Sequence, residues 1–195
     1  MLESSGTASH DTGGPLVSDR TAVGLPWLVR LRWGAVVGQL VAIAVVHYGI
    51  GVPLPLARLL PLVALIALTN VGLGYGLTAG SRPSATACGA VLVLDTLVLT
   101  GLLQATGGPL NPFSIFYIVH ITLAAVVLGA AWTWTVTGLS IACFGALFFS
   151  FSSTDAALHV HGGGALTTHL QGMWIAFVLT AVLTAYFVVR LSAAI

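Results

Sequence analysis

The sequence has very few charged residues. Of its 195 residues, 6% are charged and 57% are hydrophobic, and the mean hydropathy is +1.04. Charged residues make up about a quarter of an ordinary soluble domain, so this chain has too few to cover a water-facing surface. The composition therefore excludes a soluble globular protein and predicts a lipid bilayer as the solvent of most of the chain.

The sequence also lacks the charge pattern that binds anionic partners. It contains no lysine, and its formal net charge is +1. Nucleic-acid binding and the recognition of acidic lipid headgroups both depend on clustered basic residues. We therefore expect no nucleic-acid partner and no polybasic lipid-binding segment.

Motifs of the common enzyme classes are missing as well. There is no Gly-x-Ser-x-Gly, no His-Glu-x-x-His, no Gly-x-x-x-x-Gly-Lys and no pair of carboxylates at active-site spacing. Cys88 and Cys143 are expected at depths that differ by roughly 10–15 Å, whereas a disulfide needs Cα atoms within about 7 Å. We therefore expect no catalytic residue and two buried free thiols.

Six apolar segments approach the length of about 20 helical residues that crosses the hydrocarbon core. They predict an all-α polytopic membrane protein, a bundle of six transmembrane helices, with spans at approximately 33–50, 57–78, 86–106, 113–129, 131–151 and 172–195. The segment 1–24 is polar and lacks the apolar core of a signal peptide, so we expect a disordered tail there.

The fourth and fifth spans are separated only by Gly129 and two alanines. Residues 113–151 would form roughly 58 Å of continuous helix, about twice the core thickness, so two crossings with a tight hairpin fit better. With six spans, five of the six arginines lie on the side of the N-terminus and only Arg58 lies opposite. Because arginine is enriched in cytoplasmic loops, both termini are predicted to be cytoplasmic.

The least lipid-like stretch in the middle of the chain is residues 107–113, Gly-Gly-Pro-Leu-Asn-Pro-Phe, between the third and fourth spans. Asn111 is a good N-cap and Pro112 suits the first helical position, so a helix is predicted to start here. The glycines permit a sharp turn and leave main-chain N–H groups accessible, and the helix dipole adds partial positive charge. The turn is a candidate binding loop for a carbonyl-bearing ligand; the alternative is a proline-stabilised turn without a ligand.

Two polar side chains are predicted inside spans, where an ionisable group is expensive and points to a function or a partner. Asp95 lies well inside the third span, and Asn70 lies at a comparable depth in the second. One interpretation is a protonated or hydrogen-bonded Asp95 that locks the second helix to the third. The other is a proton-accepting role near a ligand.

His120 follows Phe113, Phe116 and Tyr117 at helical spacing, so all four are predicted to share one face of the fourth span. A quinone ring held there could stack on either phenylalanine and reach Tyr117 or His120 deeper in the membrane. The alternative for His120 is a core histidine bonded to a neighbouring helix.

The loop before the last span contains Asp155, His159, His161 and His169. Imidazole binds zinc and copper, but this spacing matches no established metal signature. We therefore predict no metal site, with metal binding by these histidines left open.

The heptapeptide at 107–113 resembles the quinone-binding heptapeptide of the RegB/PrrB family of redox-sensing histidine kinases. Leu31-Arg32-Trp33, at the start of the first span, and residues 169–174, His-Leu-Gln-Gly-Met-Trp, at the start of the sixth, also look like that family's sensor region. The resemblance covers roughly residues 25–195.

The resemblance implies a sensor in the bacterial inner membrane whose bound ubiquinone reports the redox state of an electron-transport chain to a cytoplasmic kinase. The quinone site would then comprise Gly107, Gly108, Pro109, Asn111, Pro112 and Phe113, to which the helix geometry adds Tyr117 and His120. A homodimer is compatible with this picture, and the partner would be a histidine kinase or a response regulator.

Family members continue past the sixth span into a dimerisation helix, a phospho-accepting histidine and an ATP-binding domain, whereas this sequence stops at Ile195. Autophosphorylation is therefore not expected of these residues, which form either a truncated sensor or a stand-alone domain acting through a separate kinase. Two alternatives are an oxidoreductase subunit that holds haem between His47 and His120, and a small transporter with Asp95 and Asn70 along its path.

Overall fold

A computed structural model describes residues 15–78, 84–152 and 163–194. Within these ranges the chain forms helices joined by short turns, with no strand. The predicted all-α class is confirmed. The six α-helices, numbered in chain order, are α1 Pro15–Ala44, α2 Leu56–Thr78, α3 Ala85–Ala105, α4 Phe116–Val127, α5 Ala130–Ser152 and α6 Gly163–Ala194.

Five of these helices, all except α4, contain a segment long and apolar enough to cross a membrane. The chain is therefore a polytopic membrane protein. The first of these segments starts in α1 at Pro26 and continues through the π-helical turn Val45–Gly49. It therefore starts before the predicted position 33 and includes Arg32. The sequence-based boundary stopped at this arginine because a charge normally ends an apolar run, but the structure buries it.

Helix α1 begins at Pro15, inside the segment expected to be a disordered tail. The described part of the predicted tail, residues 15–24, is helical. Residues 1–14 lie outside the described residues.

The fourth span differs most from the prediction of 113–129. A 3₁₀ turn, Pro112–Ile115, precedes α4, and the apolar helical segment Pro112–Val127 is about 24 Å long at 1.5 Å per residue. This is shorter than a hydrocarbon core of about 30 Å. This helix is therefore apolar but shorter than the five candidate spans, and it packs against α1, α3, α5 and α6.

The predicted break between the fourth and fifth spans is confirmed at Gly129. Its φ is +93°, a left-handed backbone conformation that favours glycine. Helix α4 ends at Val127, α5 begins at Ala130, and the two helices pack against each other. The 39-residue apolar run therefore forms a helical hairpin.

Helix α3 occupies the centre of the bundle. Half of its span is buried within the protein, compared with 11% for the spans of α1 and α6. A Cβ atom at Gly89 would overlap the Trp132 ring, so glycine permits the close approach of α3 and α5. The two cysteines are buried and free, as predicted.

Candidate functional site

The turn between α3 and α4 has two left-handed glycines. Gly107 has a φ of +123° and Gly108 a φ of +61°, values that residues with a side chain rarely adopt. Gly108 is buried, and a Cβ atom there would contact the ring of Phe151 at 3.5 Å. The glycine pair therefore lets the chain reverse direction against the end of α5.

Asn111 fixes the shape of this turn. Its side-chain oxygen accepts a hydrogen bond from the N–H of Phe113 at 2.9 Å, as an N-cap does. Its amide nitrogen donates to the carbonyl oxygen of Thr106 at 3.1 Å and to its hydroxyl at 2.7 Å. The predicted N-cap and Pro112 at the first helical position are confirmed, and both amide protons of Asn111 are used within the turn.

Few main-chain donors of the heptapeptide are left for a ligand. The N–H groups of Asn111 and Phe113 are hydrogen-bonded within the turn, and the two prolines have none. The 3₁₀ turn Gly108–Leu110 uses the N–H of Leu110 as well, so any further main-chain donor must come from Gly107 or Gly108. The donors proposed from the sequence are confined to the glycine end of the turn.

Two aromatic rings lie exposed beside the turn. Phe113 and Phe116 stack with their ring centroids 5.9 Å apart, and 43% and 44% of their surfaces are exposed. Leu110 and Ile115 next to them are also exposed. The pair, called here the phenylalanine pair, forms an aromatic surface that lipid or a lipid-soluble ring can contact.

Tyr117 does not share this exposed surface. Its side chain is fully buried, its hydroxyl lies 2.8 Å from the Thr100 hydroxyl, and its ring contacts Phe144 and Phe177. Consecutive helical residues point about 100° apart, so Tyr117 faces the bundle while Phe116 faces outward. The four side chains predicted to share one face of the fourth span therefore differ in exposure: Tyr117 is buried, whereas Phe113 and Phe116 are exposed.

His120 lies one helical turn beyond Phe116 and is partly exposed. Its Nδ1 atom is 3.4 Å from the hydroxyl oxygen of Thr96 on α3. His120 thus connects the outward side of α4 with the polar interior of the bundle.

Asp95 is paired with Arg32, a partner that the sequence analysis did not identify. The Nε and Nη2 atoms of Arg32 each donate to one carboxylate oxygen at 2.8 Å. Arg32 also donates to the Thr69 hydroxyl at 2.7 Å and the Asn70 side-chain oxygen at 3.3 Å. The Asn70 amide donates to the carbonyl of Val29 at 3.0 Å. We call these side chains the arginine network.

The arginine network joins α1, α2 and α3 rather than α2 and α3 alone. Arg32, Asn70 and Asp95 are 3%, 0% and 5% exposed. Their donors and acceptors are satisfied by one another, as burial of charge requires. The sequence did contain a sign that one arginine is buried. Arg30 and Arg32 are two residues apart and so point about 200° apart around α1, which means that when Arg30 faces out of the bundle, Arg32 faces into it.

The remaining histidines do not gather into a site. The Nδ1 atom of His47 accepts a hydrogen bond from the N–H of Leu54 at 3.0 Å, which stabilises the turn into α2. His169 is exposed on α6. Asp155, His159 and His161 lie outside the described residues. Among the residues that are described, no three metal-ligating side chains come together.

Comparison with known proteins gives one informative likeness. A protein named sensor histidine kinase RegB, from Cereibacter sphaeroides, is 29% identical over 182 residues. The chain is similar to a sensor histidine kinase. The alignment covers 92% of this chain but 37% of the relative, so the chain spans little more than a third of that protein's length. No protein-family profile and no solved structure matches.

Proposed function

We propose that this chain is a membrane sensor domain that binds a quinone, of the ubiquinone class, beside the turn at residues 107–113. The observation that carries the proposal is the exposed phenylalanine pair next to a rigid, glycine-containing turn. The similarity to a sensor histidine kinase over 92% of the chain supports the sensing role. The bound quinone would report the redox state of an electron-transport chain in the bacterial inner membrane.

The proposed binding mode places the quinone ring on the phenylalanine pair. Aromatic rings stack at centroid distances of about 4.5–7 Å, and the two side chains are already held parallel within 19°. A quinone carbonyl then accepts a hydrogen bond from the glycine end of the turn. Asn111 supports the turn from within and does not contact the ligand, since its amide protons are used on Thr106.

The proposed signal passes from α4 to α6. Tyr117 follows Phe116 directly, and its ring lies 5.7 Å from that of Phe177 on α6. A ligand shifts a conformational equilibrium only by its difference in affinity for the two states, and a tenfold difference is about 1.4 kcal/mol. Movement of α6 would carry the signal to a histidine kinase, in the same or a separate polypeptide, and from there to a response regulator.

Quinone titration of the purified chain tests the proposal, with Phe113→Ala as the variant and Ile115→Ala as its matched control. Ile115 lies in the same 3₁₀ turn and is more exposed, at 62%, but its side chain is aliphatic and offers no ring for stacking. An aromatic pair is worth about 0.5–1.5 kcal/mol beyond the area it buries. We therefore expect Phe113→Ala to raise the Kd for a short-tailed ubiquinone by roughly 2- to 12-fold.

Ile115→Ala is expected to bind as the wild-type chain does. Equal affinities in all three proteins would remove the phenylalanine pair from the site and refute the proposal. Equal losses in both variants would indicate damage to the turn instead, which also contradicts specific stacking on Phe113.

The two alternative functions have less support. A transporter path along Asp95 and Asn70 has to break their hydrogen bonds to the buried Arg32. A haem between His47 and His120 needs His47 as a ligand, but Nδ1 of His47 already accepts the hydrogen bond that stabilises the turn into α2. No described contact favours either function over the sensor.

A further inference from the structure

Two threonines on α3 have their hydroxyl protons directed along their own helix. Thr96 donates to the carbonyl of Leu92 at 2.8 Å, and Thr100 donates to the carbonyl of Thr96 at 2.7 Å. A hydroxyl group has one proton and two lone pairs. Toward α4, both threonine oxygens can therefore only accept hydrogen bonds.

This constraint sets the direction of the two contacts between α3 and α4. Tyr117 must donate its O–H to Thr100, 2.8 Å away, and His120 must donate from Nδ1 to Thr96, 3.4 Å away. A charged side chain is expensive inside a span. In the neutral imidazole one nitrogen carries the proton and the other is an acceptor. Nε2 of His120 is then the nitrogen with the free lone pair.

The Nε2 atom of His120 has no partner in the described part of the chain and is not sealed inside the protein. This atom makes no hydrogen bond to the described residues. Among these residues, two side-chain polar atoms are fully buried without a hydrogen-bond partner, Gln39 Oε1 and Ser140 Oγ, and Nε2 of His120 is not one of them. His120 lies on the same side of the helix as Phe116, about one turn deeper. An acceptor therefore lies beyond the phenylalanine pair.

We propose that Nε2 of His120 accepts a hydrogen bond from a hydroxyl group of the reduced ligand, the quinol. This inference rests on the quinone site proposed above and specifies which redox form each end of it recognises. A quinol hydroxyl can donate to Nε2, whereas a quinone carbonyl presents a lone pair to a lone pair. His120 thus favours the reduced form, while the N–H groups at the glycine end favour the oxidised form.

The test compares two substitutions of His120 that differ in which ring nitrogen they replace. His120→Asn places an amide N–H near Nδ1, so it can keep the bond to Thr96, but it has no atom at the position of Nε2. His120→Gln places its amide near Nε2 and lacks the donor to Thr96. The probes are a short-tailed ubiquinone and the quinol prepared from it, titrated without oxygen into the full chain.

We expect His120→Asn to raise the Kd for the quinol about fivefold, equivalent to about 1 kcal/mol for one hydrogen bond. The Kd for the quinone should stay within about twofold, since no bond to that form is lost. His120→Gln should keep more of the quinol affinity than His120→Asn does, because its side-chain oxygen can accept at the Nε2 position.

Three results would overturn the inference. An unchanged quinol Kd in His120→Asn, or equal weakening of both redox forms, would show that His120 does not discriminate between them, while leaving the quinone site in place. A wild-type chain that binds neither form would overturn the site itself together with this inference. The wild-type titration therefore separates the two failures.

The protonation of the imidazole gives an independent measurement. Nitrogen NMR of the chain labelled with ¹⁵N-histidine is expected to show a proton on Nδ1 of His120 and none on Nε2. The Thr96→Val substitution removes the acceptor and should weaken this preference. A wild-type ring with its proton on Nε2 would contradict the inference, whatever the binding data.

Discussion

The pair of Arg32 and Asp95 makes the sharpest stability prediction. The Asp95→Asn substitution keeps the size of the side chain but removes its charge, and so leaves a buried guanidinium without its counter-ion. Removing one partner of a buried ion pair costs about 3–5 kcal/mol. Since Thr69 and Asn70 still accept hydrogen bonds from Arg32, the lower figure of about 3 kcal/mol is expected.

For a chain of this size, 1 kcal/mol corresponds to roughly 2–4 °C in Tm, so Asp95→Asn should lower the Tm by about 6–12 °C. The double substitution Arg32→Met with Asp95→Asn removes both charges. It should destabilise the protein less than the sum of the two single substitutions, because no unpaired charge remains. Arg30→Met is the matched control, since Arg30 is exposed on the same helix.

The measurement is unfolding of the purified chain in detergent micelles, followed by the helical circular dichroism signal. Arg30→Met should change the Tm by no more than a few degrees, as is usual for a surface substitution. An Asp95→Asn protein as stable as the wild type would refute the reasoning. So would a double variant whose loss equals the sum of the single losses, because the pair would then contribute no coupling energy.

Three further substitutions, one of them with a matched control, test the packing around the site by the same unfolding measurement. Gly89→Ala should destabilise the protein by about 1–3 kcal/mol, because its new methyl group would overlap the Trp132 ring. Gly72→Ala is the control and should not destabilise the protein, since a Cβ atom there has no neighbour within 4 Å. Equal effects of the two substitutions would contradict this packing. Asn111→Ala should cost at least about 1 kcal/mol through loss of the cap, and an unchanged Tm would contradict the role of its side chain. Tyr117→Phe should cost about 1 kcal/mol by removing the donor to its threonine partner, and no loss would contradict that hydrogen bond.

The features that the sequence predicted well depend on residues close together in the chain. The cap at Asn111, the helix start at Pro112 and the hairpin at Gly129 all follow from local backbone preferences. The all-α membrane class follows from composition and the length of apolar runs. Such signals do not require knowledge of which helices become neighbours.

The features that the sequence missed depend on helix packing. The partner of Asp95 lies 63 positions away in the chain, and its charge led to a first span that began too late. Tyr117 was grouped with Phe113, Phe116 and His120 on one face of the fourth span. Spacings of three and four residues fit one helical face only approximately, and Tyr117 points into the bundle. Burial was needed to separate it from Phe116.

Two kinds of contact connect the helices around the candidate site. Directional hydrogen bonds join α1 and α2 to α3 through Arg32, and α3 to α4 through Tyr117. Hydrogen bonds of this kind hold neighbouring helices at a definite height. The rings of Tyr117 on α4 and Phe144 on α5 also meet Phe177 on α6, at centroid distances of 5.7 and 4.6 Å. Packed rings permit the small sliding motions typical of shear between helices. The signal proposed above, from the phenylalanine pair to α6, would pass through these ring contacts, beside helices that the arginine network holds together.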